Sequence, residues 1–405
     1  MSVAVPSGVV PVKSLTTNEI LYGNRVTSYR WEILTHSAGV DTLAGYLDGV
    51  VRGSASLSEQ LYAAVKGTGN LKVADLDKAQ PGFMRVRDLV LTSVRLRPVL
   101  VVEGLPEIPL GVFLIAAAPE EWSDTGRILS LELLDRATVL DQDSVDATYT
   151  VDAGTGILAA VAAVVASAGE SITVDATVTD TLSSAMVWPV GTTKLQIVND
   201  LLAALNYNSL WVDGNGSFRA TPYVLPVDRS LTYELLNVAR ELVDGEKSIY
   251  GKNWSRDQDL FAVPNKVIAV QSSTGGTEAL SGVWTNEDPE SPFSWQSRGG
   301  YIDPITGKKV GYKTNVLGGV ETPDGTDLEV IAFLESAARR SLIASSSVQA
   351  TVEVSCLPIP VRVGDVLRFA NVPADIDARH VVTSRDLDAN PLGLMKLKLQ
   401  ELVTL

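Results

Sequence analysis

The run PEEWSD sets two carboxylates, Glu120 and Glu121, beside Trp122, the composition of a glycosidase acid–base pair next to an aromatic sugar platform. Glycosidase carboxylates face each other across roughly 5 to 9 Å. Neighbours on a strand point to opposite faces, so such a pair would have to recruit a carboxylate from a distant strand. In WVDGNGSF, Asp213, Asn215 and Ser217 alternate like the ligands of a calcium loop. Counting from Asp213, however, Val224 stands where the bidentate carboxylate belongs and Phe218 where the glycine belongs. Asp-Gly and Asn-Gly instead supply the positive φ of a tight β-hairpin. Trp211 and Tyr223 on its arms suit either a stacked ligand or a half-buried sheet. Histidine occurs only as His36 and His380, and neither has the spacing of a zinc pair. The TGKK of 306–309 resembles the end of a phosphate loop, but Ile302 replaces its first glycine and Lys309 its hydroxyl residue. Asp141, Asp143 and Asp146 form either a solvated linker or a cation site. No catalytic residue, metal ligand or cofactor site emerges.

The whole chain narrows the function classes. It has 405 residues, enough for two to four domains, and 45% hydrophobic residues supply material for buried cores. Its formal net charge of −15 repels phosphates, which disfavours a sequence-reading nucleic-acid binder but does not exclude an acidic passage through which DNA slides. The single cysteine, Cys356, allows no disulfide within the chain, and its alternating apolar neighbours suggest a buried strand position. The N-terminus lacks the pattern of a secretory signal. AGTGILAAVAAVVASAG, residues 153–169, is short for a membrane span, which needs about 20 strongly apolar residues. A core helix is the better reading, in a protein made in a cytoplasm.

Alternation and turn signals place the elements. TSYRWEIL, VRLRPVLVV and ILSLELL read as strands, and SASLSEQLYAAVKG as a helix closed by Gly67. ILAAVAAVVASAG and TTKLQIVNDLLAALNY read as helices, SITVDATV between them as a strand, and the DGNG hairpin follows. VDGEKSIYGKNWSRDQD reads as a linker and PNKVIAVQSS as a strand. Residues 284–325 form a loop-rich arm, and a helix over 327–344 is capped by Asp327. The rest is strand and turn. An internal echo pairs IPLGVFLI and RILSLELLD with VRVGDVLRF and LMKLKLQEL, as two copies of one unit would. The expected fold is α+β and mostly β: a β-barrel-like domain over 1–147, an α+β domain over 148–245, and a second barrel-like domain with the arm over 246–405.

Several longer stretches resemble a known family. They are SLELLDRATVLDQDSV (130–145), WPVGTTKLQIVNDLLAALNYNSLWVDGNGSFRATPYVLPVDRS (188–230), PNKVIAVQSS (264–273), GVWTNEDPESPFS (282–294), VEVSCLPIPVRVGDVLRF (352–369) and DIDARHVV (375–382). In this order they resemble the minor tail proteins of actinobacteriophages with long non-contractile tails, over roughly residues 130–405. The resemblance implies a tail-tip hub, akin to the baseplate hubs of contractile tails: a homotrimer whose two barrels per subunit make a pseudo-sixfold ring. Such a ring adapts the sixfold tail tube and distal tail protein ring to a threefold tip or fibres. The implied partners are that ring, the C-terminus of the tape-measure protein and downstream tip or fibre proteins, with no sequence-specific nucleic acid and no membrane span. The implied location is the tail tip of the virion. The text ends at KLKLQELVTL directly after its last strand, so no appended hydrolase or fibre is expected. Trp284, Phe293, Trp295 and Tyr301 in the arm are the candidate assembly contacts; the alternative is a loop folded onto its own domain. A receptor- or carbohydrate-binding tail protein and a tail-associated cell-wall hydrolase stay open as rivals.

Overall fold

The strands that alternate in the sequence are the ones that carry the fold in the computed structural model, which describes residues 20–21, 25–123, 126–182, 184–237, 250–257, 263–272, 279–291, 293–320, 322, 326–346 and 350–402. The first part is β1 (Thr27–Ser37), β2 (Val40–Leu47), β3 (Ser56–Gln60), β4 (Gly67–Ala74), β5 (Phe83–Met84), β6 (Val94–Val102), β7 (Ile108–Pro109), β8 (Phe113–Ala117), β9 (Glu120–Ser123) and β10 (Gly126–Asp135). A small α+β unit follows: α1 (Thr138–Gln142), β11 (Tyr149–Val151), α2 (Ile157–Ser167), β12 (Met186–Trp188), α3 (Lys194–Ala204) and the hairpin β13 (Trp211–Val212) and β14 (Phe218–Arg219). Then come β15 (Leu231–Asn237), β16 (Tyr250–Asp257), β17 (Lys266–Gln271), β18 (Ser281–Thr285), β19 (Tyr301–Ile302), β20 (Lys309–Val310), β21 (Thr314–Val320), α4 (Asp327–Ser346), β22 (Thr351–Cys356), β23 (Val366–Asn371), β24 (Ile376–Asp388) and β25 (Met395–Glu401).

The protein is mostly β with few helices, and no described helix is long and apolar enough to cross a membrane. The first and last parts do not stand as two separate barrels. β3 pairs antiparallel with the far half of β24, and this joins them into one 16-stranded sheet that does not close on itself among the described residues. Their apolar faces share one core, in which Leu57, Leu71 and Leu131 belong to the same cluster as Val354, Phe369 and Leu397. A second core holds α2, α3 and the hairpin, with Val161, Val198, Leu201 and Phe218 at 1% exposure or less. A third lies between α4 and the separate sheet β18–β17–β21.

One sheet order occurs twice. The first part runs β1-β6-β8/β9-β10-β4-β3 and the last part β15-β23-β24-β25-β22-β16. The strands correspond in chain order as well, and β8 with β9 acts as one long strand along β10. Even a β-bulge repeats: Ala116 is the extra residue on β8 and Thr383 on β24, each in mid-hairpin. The copies differ where β1 meets β6 antiparallel but β15 meets β23 parallel. They differ also between β3 and β4, joined by residues 61–66, whereas residues 258–350 intervene between β16 and β22. RILSLELLD and LMKLKLQEL are indeed equivalent strands. VRVGDVLRF matches β6 rather than the IPLGVFLI with which the sequence aligns it.

Four local expectations need correction. SASLSEQ is strand β3, because pairing on both sides, with β4 and β24, overrides helix propensity and buries Leu57 and Glu59 alternately. SITVDATV makes only an isolated bridge, Ile172 to Phe218, because Asp175 folds its carboxylate onto the Thr177 N–H and hydroxyl. Within the expected linker, Tyr250–Asp257 is strand β16, paired antiparallel with β22. The helix α4 is capped by Thr326, not Asp327: Thr326 Oγ1 accepts from Glu329 N–H, and the Glu329 carboxylate accepts in return from Thr326 N–H at 2.8 Å.

Candidate assembly surfaces

Two buried ion clusters clamp the parts together. Glu59 on β3 lies opposite Arg385 on β24 and forms an ion pair with it at 3.1 Å, and Arg362 from the adjacent loop donates to the same carboxylate. The side chains of Glu59 and Arg385 are only 7% and 4% exposed. Burial alone would raise the pKa of Glu59; Arg385 and Arg362 outweigh it and hold the carboxyl below its ordinary value. Ser58 Oγ donates to Asp386 at 2.5 Å on the neighbouring pair.

The second clamp fixes the α+β unit to the first part. Glu170 accepts from Arg95 at 2.5 Å and from Arg136 Nε at 2.7 Å, and Asp41 receives the same two guanidinium groups. His36 bridges Asp41 at 2.7 Å and the Gly169 carbonyl at 3.1 Å. Arg136 also donates to the Gly216 carbonyl at 2.8 Å and packs over the Phe218 ring. The DGNG hairpin docks here through its glycines: a Cβ at Gly214 would meet the Pro109 carbonyl at 2.4 Å, and one at Gly216 would meet Val112 at 2.4 Å. Asp213 closes the hairpin itself. Its Oδ1 accepts from Asn215 and Ser217 N–H at 2.9 Å and its Oδ2 from Arg219 at 2.8 Å, so both oxygens are spent on shape.

Between the clamps lies a cavity of about 590 Å³, lined by the β3–β4 turn, the Trp211 hairpin and the Arg362–Asp365 loop. Its ionisable walls are perturbed: burial pushes Asp135 up to about 6 and lowers Lys66. Perturbed groups in a cleft are the usual mark of an active site. Here, however, Asp135 already accepts from Gly67 N–H at 2.6 Å and Ala137 N–H at 2.8 Å, and Glu59 is ion-paired twice. Both carboxylates are engaged in holding the joint.

The other sequence candidates are dispersed. Glu120 accepts from Arg127 at 2.6 Å, and that guanidinium covers the ring of Trp122, which is 73% exposed. Asp143 holds Lys194 at 2.6 Å. His380 is buried against Phe369, its Nδ1 on the Ala378 carbonyl, and burial lowers its pKa. The TGKK turn joins β19 to β20, and Lys309 sits over the Trp295 ring.

The arm aromatics separate into two kinds. Phe293 and Trp295 are each 5% exposed and build the arm's own core: Trp295 donates to the Val310 carbonyl and stacks on Tyr312, while Gly300 leaves room for its ring. Trp284 lies beneath Arg339 of α4. Tyr301 projects at 61% exposure, with Ile302 and Ile305 beside it at 58% and 93%. Sequence reasoning missed Glu59, Arg136, Glu170 and Arg385. The one available signal was a charged residue inside an otherwise apolar alternation, as in SLSEQ.

No protein-family model and no curated protein matches the sequence. Solved structures match over almost the whole chain. The tail protein from Neisseria meningitidis MC58 is 12% identical with a TM-score of 0.58, covering 92% of this chain and 97% of its own. The 43 kDa tail protein of prophage MuSo2 from Shewanella oneidensis is 11% identical with a TM-score of 0.53, covering 91% and 98%. Prophage tail protein gp18 from Listeria monocytogenes EGD-e is 11% identical with a TM-score of 0.51, covering 91% and 94%. This chain has the fold of phage and prophage tail proteins.

Proposed function

We propose that the chain is a structural hub subunit of a phage tail tip, with no enzymatic role. The observation that carries this reading is the sheet order that occurs twice in one chain. Three such chains present six similar β units, the number needed to seat a threefold ring beneath a sixfold tube and distal tail protein ring. The two units act as the barrel-like halves of the ring, and their net acidity lets DNA pass without adhering. The tape-measure C-terminus and downstream tip or fibre proteins are the remaining partners, after assembly in the host cytoplasm. Tyr301, Ile302 and Ile305 form an exposed apolar tip suited to grip a neighbour, held out by the Phe293–Trp295 core. A carbohydrate platform is less suited to Trp122, whose ring carries the Arg127 guanidinium.

Light scattering of the purified protein, with and without the distal tail protein ring, tests the reading. A mass three times the 43.2 kDa chain is expected, alone or on the ring. A stable monomer that ignores the ring and binds cell-wall glycan would falsify it.

A further inference from the structure

The cavity of about 590 Å³ lies where the joined sheet copies meet the α+β unit, the kind of junction at which ligand sites form, and its size is that of a site for a drug-sized molecule. Tyr207, Trp211 and Tyr223 line it half-buried, and Tyr62, exposed at 78%, marks its rim. Aromatic walls of this kind receive flat or apolar bodies.

The charge in the cavity is the reverse of the charge on the chain. Against −15 overall, four cations (Lys66, Arg229, Arg362 and Arg385) line it with three carboxylates (Glu59, Asp135 and Asp365). Arg362 and Arg385 share Glu59. Asp135 is held by two backbone N–H groups, and Asp365 accepts from the Arg362 N–H at 2.8 Å. Among the described residues, Lys66 and Arg229 have no carboxylate partner. Lys66 Nζ donates to the Ser209 hydroxyl at 3.3 Å, which engages one of its three donors. Glu59 and Asp135 act on its charge only from beyond ion-pair distance. Arg229 donates to two carbonyls, Val224 from Nε at 2.9 Å and Gly364 from Nη1 at 2.8 Å, and lies beside the Tyr223 ring. A charge taken partly out of water without a counter-ion is unfavourable, and a bound anion relieves it.

We propose that this cavity binds a carboxylate carried on an aromatic or apolar body, with Lys66 and Arg229 holding the anion and Tyr207, Trp211 and Tyr223 the body. The single excess positive charge matches a monoanion. The second charge of a phosphate would lie unbalanced among Asp135 and Asp365. A free organic acid and the terminal carboxylate of a peptide share this chemistry. The site needs only one chain, so it stands apart from the hub reading.

Two pairs of probes test it on the full chain by calorimetric titration: indole-3-propionate with its neutral amide, and the peptide acetyl-Gly-Gly-Trp with its terminal amide. Each acid is expected to bind at least about tenfold more tightly than its amide, the range of one charge-assisted hydrogen bond. Tighter binding of the peptide acid identifies a protein segment as the natural ligand, and tighter binding of indole-3-propionate a free acid. Lys66→Met should abolish the preference for acid over amide, Lys66→Arg should restore it, and thermal unfolding should confirm that both variants fold. In the unaltered chain, the indole N–H resonance of Trp211, assigned with Trp211→Phe, should move as the acid saturates. That readout does not depend on how Lys66→Met folds. Acid and amide binding alike, no saturation by either acid below about 10 mM, or saturation that leaves the Trp211 resonance in place overturns the site. A chain that binds the acids yet stays monomeric with and without the distal tail protein ring keeps this site and loses the hub.

Discussion

Removing the Glu59 carboxylate leaves two guanidinium groups facing each other across the joint between the two copies, one of them, Arg385, only 4% exposed. Each charge-assisted hydrogen bond lost is worth about 1.5–3 kcal/mol. Arg385 is too buried to recover its bond from water, so Glu59→Ala should cost about 3–5 kcal/mol, the range for breaking a buried ion pair. Glu59→Gln keeps the size and the acceptor oxygen and loses the charge, and about half that cost is expected. The informative comparison is Glu59→Leu with Arg385→Met. It discards the buried charges together, while the partly exposed Arg362 turns to solvent, so it should cost less than Glu59→Ala alone. Urea unfolding at pH 7 measures the three costs. Hydrogen exchange at the Leu61 amide, which bonds the Thr383 carbonyl across the same joint at 2.9 Å, reports whether the loss is local. A Glu59→Ala cost below about 1 kcal/mol, or a paired replacement worse than the single one, would refute the argument that this cluster holds the joint by mutual charge compensation.

Gly216→Ala, at φ +90° with a Cβ 2.4 Å from Val112, should undock the hairpin at a cost of about 2–4 kcal/mol and expose it to protease. Adding Val112→Ala should recover part of that loss, and strict additivity of the two would argue against the contact. Asp135 titrates near 6 in the folded chain against an ordinary 3.8, so the folded state holds its proton the more tightly. Its contribution is full below about pH 4 and fades as pH rises through 6, by about 3 kcal/mol. Asp135→Asn should flatten the stability profile over that window, and identical slopes would contradict the assignment. Trp295→Ala should cost the isolated chain about 3–5 kcal/mol. Tyr301→Ala should leave stability within about 0.5 kcal/mol and reduce only assembly, read by thermal unfolding beside light scattering.

What the sequence could reveal followed the reach of each interaction. Helices α2 and α3 and the hairpin were legible because their signals are local: apolar spacing, Gly169 at φ +76° after α2, and Asp213 with its glycines. The strands ILSLELLD and VRLRPVLVV announced themselves by alternation. SLSEQ did not, because its state depends on pairing on both sides, with β4 across a short turn and with β24 more than 300 residues away. Aromatic residues in the arm were visible, but their burial was not. Phe293 and Trp295 look as free as Tyr301 until Gly300 and the Val310 carbonyl are seen to receive one of them. The buried ion clusters were hidden for the same reason: Arg136, Glu170, Asp41 and Arg95 occupy four separate stretches and meet only in the folded chain.

The two copies of the sheet differ most at the link between their second and third strands, a six-residue turn over 61–66 in one and residues 258–350 in the other. The second copy therefore already demonstrates that those strands stay paired around a foreign-sized cargo, since β22 keeps its place between β16 and β25. Loop closure grows only slowly more costly with length. The turn at 61–66, with Tyr62 exposed at its tip, is thus a ready-made port for grafting: a reporter or binding module set there would ride on the first copy as the α4 unit rides on the second.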